Sequence, residues 1–151
     1  EEGIDEDGLL PTTRMRITGP VERLLRTMLF AREAPLGGPV RGTSPFAEEF
    51  EARGIRDGEG RSLRDLDLET RLLRHPLSFL IHSDAFASLP EVAKRVFARR
   101  LASVLAGEDP GGDFQHLDDG DRRAIREIVE ATEPELWEMA GPLPGSFEPR
   151  P

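Results

Sequence analysis

Two of the chain's three histidines, His75 and His82, stand seven positions apart in the apolar stretch "HPLSFLIHSDAF", a spacing that invites a metal or haem ligand pair. On one helix, however, seven residues is nearly two turns. The two rings would share a face about 10 Å apart along the axis, whereas chelation of a single ion needs an i, i+4 pair. A haem held by two histidines also needs them on opposite sides of its plane. Pro76 separates the pair further, because the residue before a proline is driven out of helical geometry. His75 is therefore expected at a break between two helices, where its positive charge would suit the end of the preceding one. Both histidines read as members of a helical core, and no cofactor is expected.

The third histidine, His116, lies in "EDPGGDFQHLDDGD", where Asp109, Asp113, His116, Asp118 and Asp119 could converge on a divalent ion. Oxygen ligands on a glycine-containing loop suit calcium or magnesium. The spacing lacks the alternating acids and terminal Glu of a calcium loop. In the plainer reading Gly107 ends one helix, Asp118 or Asp119 caps the next, and the loop 109–121 is solvated. "GGPVRGTS", residues 37–44, has the outline of a phosphate-binding loop but no lysine, and the segment before it is helical where that motif needs a strand. Several serines are present, none with a recognisable base and elbow, and no pair of carboxylates stands out as buried.

Two features point to contact rather than catalysis. Lys94, Arg95, Arg99 and Arg100 cluster on the outer side of a long amphipathic helix, either as a solvated face or as a surface for an acidic partner. Phe147 is a lone aromatic in "GPLPGSFEPRP", a segment able to order on a partner at an entropic cost.

The elements that would position these residues are helical. In "GPVERLLRTMLFA" the residues Val21, Leu24, Leu25, Met28 and Leu29 recur at one-face spacing, with Pro20 just inside the start. "SPFAEEFEARG" predicts a short helix capped by Ser44, with Phe46 and Phe50 on one face and Gly54 as terminator. "IRDGEGR" is a turn, and residues 62–74 are again expected to be helical. In "SLPEVAKRVFARRLASVLAG" Ser88 and Glu91 have capping-box spacing ahead of an apolar stripe that includes Val96, Phe97, Leu101, Val104 and Leu105. "LDDGDRRAIREIVEAT" adds a helix with Ile125, Ile128 and Val129 inward. No stretch alternates with period two for long, so the expectation is an all-α single domain of about five or six helices over 18–140. An acidic tail at 1–17 and a proline-rich tail at 141–151 flank it.

Composition limits function. With 151 residues, 37% of them apolar, the chain can build one modest core. Its 29 acids against 20 bases leave a formal charge of -9, which argues against a general nucleic-acid or anionic-membrane binder. Absence of cysteine removes disulfides, thiol nucleophiles, thiolate zinc and Fe–S clusters. No apolar run is long enough for a membrane span. The first residue is not Met and the start is acidic where a signal peptide would be basic, so a processed product or a fragment is expected.

"RSLRDLDLETRLLRHPLSFLIHSDAFASLPEVAKRVFARRLASVLAGED", continued by "FQHLDDGDRRAIREI", resembles the C-terminal portion of a group of uncharacterised bacterial proteins. The likeness begins near "MLFAREAPL" and spans about two thirds of the chain. It brings no activity, cofactor or catalytic residue. In that group Tyr often stands where this chain has His82, which speaks against a ligand role for the ring. The group's members are longer and exported, which implies a piece of a larger protein working in the periplasm or outside the cell. The expected function is a non-catalytic helical interaction or accessory domain whose partner is another protein or the rest of a larger chain. The alternative is an enzyme or metalloprotein centred on His116 and the acidic loop.

Overall fold

The computed structural model describes residues 3, 8–42, 44–109 and 112–142. These form one all-α domain of six helices, α1 (Pro11–Met28), α2 (Phe46–Ala52), α3 (Asp84–Ala87), α4 (Glu91–Leu105), α5 (Asp119–Thr132) and α6 (Pro134–Met139). A 3-10 turn at Phe79–His82 precedes α3, and among the described residues the only extended pairing is two isolated bridges. Of the proline-rich end, 143–151 with Phe147 lies outside the described residues.

Helix α4 is the axis of the domain and packs against α1, α5 and α6. Its apolar stripe delivers Phe97, Leu101 and Val104 into a core completed by Leu25 and Leu29 from α1 and by Ile125, Ile128 and Val129 from α5, all of them at most 1% exposed. Closing the core from the irregular segments are Leu63, Leu77, Ile81 and Phe114.

Helix α1 begins at Pro11, inside the stretch 1–17 that reads as a tail. Proline's preset φ suits a first helical position, and Pro20, which reads as a helix start, proves to be interior. Its missing N–H removes the helix bond to the Arg16 carbonyl on an exposed half-helix, where Ile17 is the one half-buried side chain. At the other end Phe30 and Ala31 return hydrogen bonds to Thr27 and Arg26, closing the helix with Phe30 at φ 55°. Gly107 performs the same closure after α4 at φ 79°, without a Cβ to strain.

Two expected caps are absent. Pro90 occupies the N-cap position of α4, so Ser88 cannot reach it and instead donates to Ala85 at the end of α3. Pro45 likewise displaces Ser44 from the cap of α2. The capping box of this chain is at α5, where Asp118 accepts from the Asp121 N–H at 2.7 Å and Asp121 accepts from the Asp118 N–H at 3.2 Å.

Residues 62–74 are not helical, against the periodicity of their leucines. Short acidic side chains capture the backbone first. Asp65 accepts from Ser62 N, Glu51 from Leu66 N, and Asp67 from both Glu69 N and Thr70 N. The bonds from the Thr70 and Glu69 N–H groups hold the Asp67 carboxyl below its ordinary range. The chain then folds back on itself, with Arg74 N bonded to Asp65 O, Asp67 N to Leu72 O and Leu68 N to Arg71 O, and Leu68 at φ 61°. Two arginines fasten this loop to α5. Arg61 bridges Asp57 and Glu127, and Arg71 grips both oxygens of Asp121 at 3.1 and 2.6 Å.

Candidate functional site

His75 and His82 do not form a pair. His75 precedes Leu77 in irregular chain, so the expected placement at a helix end fails because no helix precedes it. It is 8% exposed, and its Nε2 is buried without a hydrogen-bond partner among the described residues. Burial drives its pKa below the ordinary value, with further depression from Arg61, Arg74 and Arg71, against an opposing pull from Asp65. His82 ends the 3-10 turn and directs Nδ1 to Glu133 Oε1 at 2.7 Å. That bond joins the turn to the junction of α5 and α6. Its Nε2 is also buried, and among the described residues no hydroxyl stands within hydrogen-bond reach of it as a nucleophile for this ring to activate.

The acidic loop is distributed rather than convergent. Asp109 is held by Arg100 at 2.7 Å, Asp113 lies 3.8 Å from Arg26, Asp118 caps α5 and Asp119 sits exposed in its first turn. His116 is bonded elsewhere, with Nε2 2.7 Å from the Leu29 carbonyl at the end of α1. Among the described residues no group of three His, Asp or Glu side chains is placed to hold a metal ion. What orders the loop is Arg122, whose guanidinium donates to the carbonyls of Val104, Phe114 and Leu117 and so welds the end of α4 to the start of α5. A cation is well placed there, at the negative end of the α4 dipole.

Each of the four basic residues of α4 has a partner within the fold. Arg100 is part-buried, bidentate to Glu22 at 2.9 and 2.8 Å, bonded to Asp109 and lying over the Phe114 ring. These acids raise its pKa, chiefly the Glu22 carboxylate, and the network joins α4 to α1. Arg95 pairs with Glu91 one turn away, Lys94 donates to the Ala87 carbonyl, and Arg99 is also engaged.

Surface concavities leave two places to consider. A hollow of about 530 Å³ at the end of α1 is bounded by Arg23, Arg26, Arg32 and Phe30. Its arginines are the charges a helix C-terminus favours. The second is a groove of about 240 Å³ between the end of α2 and the 3-10 turn. Ile55, Leu63, Phe79 and Leu80 supply its apolar lining, and Arg53 and Arg64 its charge. Beside it Phe46 stacks on Phe50 at 5.9 Å, and Phe50 meets Phe79 edge-on at 5.3 Å. The Arg64 guanidinium lies 4.7 Å from the Phe50 centroid and 4.3 Å from that of Phe79. Phe46 is 66% exposed, Leu80 54% and Ile55 49%, so one continuous aromatic and aliphatic platform faces water.

The platform is made possible by Gly54. A Cβ at that position would fall 1.9 Å from Ser62 Oγ, so only glycine lets the end of α2 lie against the loop that carries Arg64. The spacing of Phe46 and Phe50 was a signal in the sequence. Their meeting with Phe79 and Arg64 was not, since it depends on a loop that periodicity assigns to a helix.

Compared with protein-family models, with curated proteins and with solved structures, the chain matches none.

Proposed function

We propose that the chain is a non-catalytic helical interaction domain, part of a larger bacterial protein or assembly, and that its contact surface is the platform of Phe46, Phe50, Phe79 and Leu80. The carrying observation is that exposed Ile55 and Leu80 line one groove with Phe79, to which exposed Phe46 is linked through Phe50. Single exposed apolar residues are ordinary on any domain, whereas a contiguous patch next to a groove marks a place of association. Support also comes from the charges of α4, which are engaged within the fold and leave Lys94, Arg95, Arg99 and Arg100 with less to offer a partner.

The test is site-specific photo-crosslinking in the native cell. A photoreactive residue at position 80 should give one discrete crosslinked product that Phe46→Ser abolishes. The same residue at position 15, where Met15 is 79% exposed but far from the platform in sequence, should give none. Equal products from both positions, or a product indifferent to Phe46→Ser, would overturn the reading.

A further inference from the structure

We infer that the groove beside the platform recognises a short acidic segment of another protein, one that presents a large apolar side chain next to a carboxylate; this rests on the interaction reading above. Three observations carry it. First, the groove is too small for a typical small-molecule site of roughly 300–1,000 Å³ but has room for one large side chain against Ile55, Leu63, Phe79 and Leu80. Second, its charged lining is Arg53 and Arg64, with no Asp or Glu, in a chain with 29 acids and 20 bases. Third, those two guanidinium groups are open.

Arg64 is half-buried and held close to two rings, which accept none of its N–H bonds in the guanidinium plane. Among the described residues no carboxylate or carbonyl accepts from its side chain, and none accepts from that of Arg53 at the end of α2. Arg61, Arg71 and Arg100, by contrast, are each satisfied by carboxylates. A planar donor fork, held beside aromatic rings and lacking an acceptor, matches a carboxylate in bidentate geometry.

Charge also selects among occupants. A second copy of the chain carries the same -9 and is repelled at long range, as is a phosphate backbone. A short acidic segment carries few charges, so it feels far less of that repulsion than a -9 chain or a polyanion and can offset it by pairing with Arg53 and Arg64.

The experiment is selection from a random peptide display library on the immobilised full chain, followed by fluorescence anisotropy with a selected peptide and its Glu→Gln counterpart. Selected peptides should share one large apolar residue flanked by Asp or Glu, and the Gln counterpart should bind about tenfold more weakly, as should the R64Q protein. Arg53 is exposed and no group among the described residues accepts from its side chain, so R53E keeps the fold; it should weaken the acidic peptide and favour its Glu→Lys version. If selected peptides lack acids and ignore R53E yet are lost with Phe46→Ser, the acidic specificity falls and the interaction reading stands. If no selected peptide responds to Phe46→Ser, both fall. Self-association abolished by Leu80→Glu, or oligonucleotide binding abolished by R64Q, would replace the inferred partner with a second copy or a nucleic acid.

Discussion

His75 is a titratable ring in an apolar setting, and its environment makes a pH dependence. The folded chain holds its pKa below the unfolded value of about 6.5, mainly through burial. As pH falls from about 6.5 the unfolded chain takes up this proton first, so stability rises with pH across that window and is lost as pH falls through it. His75→Leu should therefore flatten the decline in melting temperature between pH 7 and pH 5. It should leave stability at pH 8 little changed, because the ring's Nε2 contributes no hydrogen bond there. A decline of undiminished slope in the variant would show that the proton responsible binds elsewhere. His82, by contrast, has a defined partner in Glu133, and its ring works as a link between elements.

At the scale of elements, the decisive contact is that of α2 with the loop after it. Gly54 meets Ser62, itself 1% exposed, at a distance that admits no side chain. Gly54→Ala must separate the two, and overpacking of this kind costs about 1–3 kcal/mol. Because the platform hangs on the same contact, urea denaturation should show the loss in stability and anisotropy should show weaker peptide binding in the same variant. A variant as stable as the parent, with binding intact, would mean that the end of α2 is free to lift away. The loop itself persists without helical hydrogen bonds because Asp57, Asp65 and Asp67 satisfy its N–H groups and Arg61 and Arg71 pin it to α5.

At the scale of the molecule, α4 touches α1, α5 and α6, so no helix of the core can leave without uncovering the same side chains. Unfolding should accordingly be a single event. Trp137 lies in α6, half-buried and under the Arg126 guanidinium, and reports on the far end of the bundle. Its fluorescence and the far-UV circular dichroism should trace coincident urea transitions, the latter with the signature of a mainly helical protein. Separated midpoints would divide the bundle into independently unfolding parts.

The all-α class, the inward faces of α1, α4 and α5, the turn at 55–61 and the helix stop at Gly107 follow from the sequence alone. Each depends on local periodicity or on one residue's backbone freedom, which neighbours in the chain already express. The loop at 62–74 and the start of α1 do not. In the first, side-chain carboxylates compete with the backbone ladder; in the second, a proline that signals a start is tolerated inside an exposed helix. Beyond the Phe46 and Phe50 spacing, the proposed contact surface belongs to tertiary structure. Phe46, Arg53, Arg64 and Leu80 are spread over thirty-five positions, and nothing in the spacing of one says where the others will lie. Conversely, the basic residues and acids that stand out in the sequence find partners in folding, Arg100 with Glu22 across 78 positions. Local pattern sets which faces turn inward; long-range packing sets which charges remain for a partner.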